Sequence, residues 1–223
     1  ALLDRLQGAR AVGLDLIFAE PDTAHPGDDA ILADSIRRNG HTVLPVVLDR
    51  LRHPSSISTP LPALAQAAAG SGFINASLDA DGVLRSAILT THYGGERWQH
   101  FALSMLDVGG QKALADRLLR RASADGSILI PYAGPLAHTR TVSYLSVLRG
   151  DVPADQLRGK YILVGAWATG LGDAYTTPVS HDVSGMPGVA IIANLLQAAN
   201  DDIAFQPPAP WLNALFSALP VLL

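Results

Sequence analysis

The chain has 223 residues, a formal net charge of −4 and no cysteine. A net negative charge without a basic cluster excludes nucleic-acid binding on electrostatic grounds, and the missing cysteines exclude a disulfide framework and thiolate chemistry. Charged residues make up only 16%, against about 25% in ordinary soluble domains, so much of the surface is expected to face a partner or a membrane.

Ala1 to Ala9 reads as a short helix, and Ala11 to Phe18, continuously apolar apart from Asp15, as a buried strand. Asp28 and Asp29 are placed to cap a helix running to Arg38, with Gly40 as its stop. Thr42 to Leu48 is a second strand, and Pro45 inside it argues for an edge position. A proline- and serine-rich loop from Arg50 to Pro62 leads to a short helix, Ala63 to Ala69. Phe73 to Leu78, the turn Asp79 to Gly82, and Val83 to Tyr93 predict a β-hairpin closed off by Gly94-Gly95. Trp98 to Val108 and Gln111 to Ala122 are helical, Ile128 to Tyr132 is a strand, and Val142 to Arg149 is a helix ended by Gly150. Tyr161 to Val164 is the last strand and Val189 to Ala199 the last long helix. Alternating strands and helices predict an α/β fold: a mixed, mostly parallel sheet flanked by helices, with an inserted β-hairpin. There is no internal repeat, and residues 1–206 read as one domain.

Pro207 to Pro210 breaks any helix, and Trp211 to Leu223 carries no charge. Those 13 residues are fewer than the roughly 20 a membrane span needs. The segment reads as a linker and the start of a cut transmembrane helix with Trp211 as interfacial anchor. A C-terminal amphipathic helix packed on the domain is the alternative.

Gly159 to Asn194 is strand, long loop, helix. Ligands in open α/β sheets sit beyond the carboxyl ends of the strands, and loops of about 20 residues inside a domain are usually functional or disordered. Gly165 and Gly170 have phosphate-loop spacing, but Leu171-Gly172 stands where Lys-Ser/Thr is required, and G-x-G-x-x-G is also absent. The glycines then serve turning and close packing.

Several pieces together resemble a known family, the CHASE domain of type two. They are Gly13 to Phe18 with Glu20-Pro21, Gly72-Phe73-Ile74-Asn75, Asp81 to Arg85, Gly159 to Gly165, Gly172 to Pro178, and Met186 to Val189 with Ala193-Asn194. They occur in the family's order and cover nearly the whole chain. The resemblance implies an extracytoplasmic sensory domain of a bacterial membrane receptor. One membrane helix would precede it and several would follow, with a cytoplasmic cyclase, histidine kinase or serine/threonine kinase as output. It names no ligand.

Asp15 in an apolar strand is the costliest residue to explain. It either faces a ligand at the strand's mouth or is paired, with Arg85 and Lys160 as candidate partners; pairing is favoured, because buried charges find protein partners first. Glu20 and Asp22 could join Asp15 and Asp173 around a hard cation, although loop acids are usually just solvated. The seven histidines show no zinc spacing. His181 beside Asp182 is a possible ligand contact or pH-sensitive group, and an exposed loop histidine is the simpler reading. No G-x-S-x-G elbow exists. Pro187-Gly188 opens the last helix, whose free amides are suited to an anion or carbonyl.

The expected ligand-binding residues are Asp15, Glu20, Arg85, Asp173, Thr176, Thr177 and Gly188, with no catalytic residue, metal or cofactor. The expected partners are a small molecule or protein, and the membrane through flanking helices; a homodimer is compatible with the low surface charge. The rival readings are a metal-dependent hydrolase or phosphatase using Asp15, Glu20 and Asp173, and a purely structural domain with an exposed apolar patch.

Overall fold

Along the chain the elements are α1 (Leu2–Arg5), β1 (Ala11–Asp15), α2 (Asp28–Asn39), β2 (Thr42–Asp49), β3 (Ser56–Ser58), α3 (Pro62–Ala67), β4 (Gly70–Phe73), β5 (Ser86–Ile88), β6 (Thr90–Tyr93), β7 (Glu96–Gln99), α4 (Phe101–Val108), α5 (Lys112–Arg120), β8 (Ser127–Leu129), α6 (Tyr144–Arg149), α7 (Ala154–Leu157), β9 (Tyr161–Gly165), β10 (Ala174–Tyr175), β11 (Met186–Pro187) and α8 (Gly188–Asn200). This computed structural model describes residues 2–49, 56–134, 140–166, 173–180, 185–206 and Trp211. The expected membrane segment (Trp211 apart), the glycines at 170 and 172, and the His181-Asp182 pair lie outside the described residues. Among the described residues no helix is long and apolar enough to cross a membrane.

Four parallel strands in the order β4-β2-β1-β9 form the sheet, and β3 pairs antiparallel with the end of β2. Side chains alternate across it with a period of two. Ala11 and Val43, with Leu163, face a core built from α4, α5 and α8. Val12, Leu14 and Leu44, with Ile162 and Val164, face a second core with Leu3 and Leu6 near α1, Ile36 of α2, Leu64 of α3 and Val147 of α6. Helices therefore cover both faces, which is why the strands read as continuous apolar runs rather than alternating ones. Each large apolar side chain fully buried there contributes about 1.5–3 kcal/mol. At Gly13 a Cβ would lie 2.6 Å from Met105 Sδ, so the missing side chain lets α4 sit directly on β1.

Three sequence expectations are corrected. β2 lies between β1 and β4, not at an edge. β1 itself runs on to Asp15, but its pairing with β2 ends at Gly13↔Val43. The odd-numbered residues of β2 face β1, as His41 does when its carbonyl accepts from the Val12 N–H at 2.9 Å, so Pro45, which has no N–H to give, closes that ladder one step short of the end of β1 and leaves the pairing with β4 intact.

The hairpin is also made of other strands. The turn at Asp79 forms, with the Gly82 N–H donating to the Asp79 carbonyl at 2.9 Å. Phe73, however, belongs to the parallel sheet, and β5 pairs with β8. The inserted hairpin is β6–β7, with Gly94 and Gly95 in its two-residue turn at φ +60° and +84°, the double positive φ that such a turn demands. Trp98 is consequently in a strand, and α4 begins at Phe101. Finally, Gly27 caps α2 without a side-chain bond, leaving Asp28 and Asp29 in its first turn, where they complement the helix dipole.

Candidate functional site

β1 and β9 run side by side and end together, Asp15 opposite Gly165. From β1 the chain moves through α2 to β2 on one flank, whereas β9 takes the other flank. The strand order reverses here, and in open α/β sheets a crevice at such a point takes the ligand. A cavity of about 630 Å³ opens there, lined among others by Asp15, Asn75, His100, Asp173, Tyr175 and Gly188.

Asp15 stands at the crevice as the last residue of an otherwise buried strand. Burial, and then the neighbouring Asp173 carboxylate, push its pKa up to about 6. Burial likewise raises Asp173, against hydrogen bonding from Tyr175 and the Gly188 N–H. Tyr175 is raised by burial and by Asp173. Asp173 lies just before β10, which pairs with β11, so the antiparallel pair fixes Asp173 beside the first residue of α8. A Cβ on Gly188 would lie 2.8 Å from both carboxylate oxygens of Asp173, and only glycine leaves room for them. The anion expected at this helix N-terminus is thus the protein's own.

His100 forms part of the crevice wall and is 5% exposed. It caps α4: its Nδ1 accepts from the Ala102 N–H at 3.1 Å. Burial holds its pKa down to about 4, so it is neutral. The sequence signal for it was a histidine directly before an apolar helix, the N-cap position. Leu16, Ile17 and Leu78 line the same crevice and are exposed.

The remaining expected residues lie apart from the crevice. Arg85 is clasped by Asp79 at 2.7 Å and by both oxygens of Asp81 at 2.9 and 2.7 Å. This hydrogen bonding lowers the Asp81 carboxyl to about 2. Arg85 is therefore not the counter-ion of Asp15, and Lys160 stands at the opposite end of β9. Glu20 is exposed and does not line the cavity. Thr176 offers its carbonyl to the Leu84 N–H at 2.8 Å. Thr177 is buried and turned onto Ser180, whose Oγ accepts its N–H at 3.1 Å. Asp15, Asp173 and Gly188 are brought together; Glu20, Arg85, Thr176 and Thr177 are not.

A groove of about 690 Å³ runs along the outer edge of β9 from Lys160 to Gly165, and its described walls carry no carboxylate. The described residues hold one group of three metal-capable side chains, Asp22, His25 and Asp28. Asp22 there accepts from the N–H groups of Ala24 and His25, the bonding of a local turn.

A family model for the CHASE2 domain matches residues 1–223. The chain belongs to the CHASE2 family. CHASE2 domains are extracytoplasmic, non-catalytic sensory modules of membrane receptors, which supports a sensory role for this domain. No curated protein and no solved structure matches the chain.

The CHASE2 pieces legible in the sequence have physical reasons. Asn75 extends the free end of β4, its Oδ1 accepting from the Leu48 N–H and its Nδ2 donating to the Leu48 carbonyl, both at 2.9 Å. Asp81 and Arg85 lock the turn after it. Asn194 takes the Ala133 N–H on Oδ1 at 3.0 Å and donates to the Ala190 carbonyl at 2.8 Å. These devices hold the crevice walls.

Proposed function

We propose that this CHASE2 domain receives a small ligand in the crevice beyond β1 and β9 and passes the event to a cytoplasmic signalling enzyme through flanking membrane helices. The output would be a histidine kinase, an adenylate or diguanylate cyclase, or a serine/threonine kinase. The carrying observation is the crevice itself: about 630 Å³, within the usual size of a small-molecule site, at the reversal of strand order, with two carboxylates on otherwise largely apolar walls. The metal-dependent hydrolase reading draws no support from the geometry, because Glu20 stands away from Asp15 and Asp173.

The lack of cysteine in the chain makes a topology test clean. Lys112→Cys on the exposed surface of α5, in the intact receptor stripped of other cysteines, should react with a membrane-impermeant maleimide in cells whose outer barrier alone is opened. Labelling only after full lysis would overturn the extracytoplasmic placement of the sensing head.

A further inference from the structure

Three independent features of the crevice specify what would fill it, given the reading of that crevice as the ligand site. The first is charge. Asp15 and Asp173 stand at the crevice together, and no Lys or Arg side chain is among its described lining residues. The amide of Gly188 already faces Asp173, donating to its backbone carbonyl at 3.2 Å. An anionic ligand would meet two carboxylates and a helix terminus already in use.

The second feature is the wall. Leu16, Ile17, Ile74, Leu78, Ile191 and Ile192 line it, and Leu16, Ile17 and Leu78 are left partly in water. A hard divalent cation takes six to eight oxygen ligands; this wall offers hydrocarbon beside two carboxylates. A ligand with an apolar body would cover the exposed side chains.

The third feature is His100. Its Nδ1 accepts the Ala102 N–H, so the neutral ring carries its proton on Nε2. That ring is 95% buried by its 5% exposure and lines the crevice. Its Nε2–H has no partner among the described residues. It is not among the fully buried polar atoms that lack a partner, so the N–H is open to exchange, and an acceptor on a ligand in the crevice can take it in place of water.

We infer that the crevice binds a protonated organic amine: its ammonium between Asp15 and Asp173, its hydrocarbon body against Ile17, Leu78 and Ile191, and a hydroxyl or carbonyl oxygen accepting from His100 Nε2–H. Amine recognition does not follow from belonging to the family; it follows from the sign of the charge, the apolar wall and the idle imidazole donor.

Four probes of one shape test this by amide NMR of the purified chain: tyramine, phenethylamine, tyrosol and phloretate. They vary the charge and the acceptor on the ligand and leave the fold untouched. Tyramine should bind at least about tenfold more tightly than tyrosol or phloretate, because it alone combines a charge-assisted bond to the carboxylates with an acceptor for His100. It should move the amides of Asp15, Gly188 and Ala102. Phenethylamine should move Asp15 and Gly188 but leave Ala102, whose N–H reads the imidazole, nearly still. Asp15→Asn should abolish the preference of tyramine over tyrosol. Equal binding of tyramine and tyrosol within the crevice, or displacement of tyramine by calcium chloride alone, would overturn the amine and leave the crevice as a site. No shift at any crevice amide with any probe would overturn the amine; whether the crevice is a site at all is then decided by its response to chemically diverse ligands.

Discussion

Asp15 occupies a position that the fold itself penalises. Raising its carboxyl from the ordinary 3.8 to about 6 costs the folded state about 3 kcal/mol once the group is ionised. A raised folded pKa means the penalty is absent below about pH 4, grows as pH rises, and is complete above about pH 6. His100 acts in the opposite sense. Burial lowers its pKa from 6.5 to about 4, so acid withdraws stability over nearly the same range, because the unfolded chain takes up a proton that the buried ring refuses. The whole-protein profile therefore mixes two trends, and a difference measurement separates them. In urea unfolding, Asp15→Asn should match the wild type near pH 4 and exceed it by up to about 3 kcal/mol above pH 6. Asp173 and Tyr175, which face Asp15, are part of the same response. A variant that is less stable than the wild type at neutral pH would mean that the carboxylate is paired after all. A residue kept at a stability cost in a crevice is the mark of a site serving something other than folding.

At the level of elements, what could be read from the sequence follows the reach of each interaction. The runs at Val12 to Leu14 and Ile162 to Val164 were legible because burial on both sheet faces leaves no alternation to misread. Gly40 and Gly150 were legible as helix stops because a left-handed cap is a local requirement, and both have positive φ. Pro45 misled because a central strand tolerates it where its missing donor costs the last step of one ladder, a position in the sheet that no local pattern encodes. The hairpin slipped because residues 73–78 and 83–93 both suit strands, and the parallel sheet claimed Phe73 first. Arg85 was offered to Asp15 although two acids lay four and six residues before it, and the nearer clasp won. The meeting of Asp15 with Asp173 was only half legible: both border carboxyl ends of strands, but their proximity depends on the β10–β11 pair. Asn75 belongs to this scale as well. A single amide completes the edge of β2 where β4 runs out, so Asn75→Ala should cost about 1–3 kcal/mol by leaving two backbone groups without partners. Hydrogen exchange at the Leu48 amide should quicken in that variant, and an unchanged urea midpoint would contradict the clamp.

For the molecule as a whole, reception requires two conformations that a ligand tells apart. The crevice touches the first turn of α8, and the helix runs 13 residues from there, about 20 Å. Its far end is tied down, since the Arg121 guanidinium donates to the Asp202 side chain at 3.0 Å and the Leu129 N–H donates to the Phe205 carbonyl at 2.9 Å. A ligand drawing Asp15 and Asp173 together would pull on Gly188 and shift α8 against β9, and a tenfold preference for the shifted state corresponds to about 1.4 kcal/mol. The groove along β9 gives that movement room. The most direct measurement is a thermal-shift comparison of the purified wild-type chain with Ala76→Trp, in which an exposed rim residue is enlarged to plug the crevice without disturbing the core, across a chemically diverse set of small molecules. Compounds that raise the wild-type melting temperature are predicted to leave Ala76→Trp unmoved; equal stabilisation of both proteins would place reception elsewhere and contradict the account.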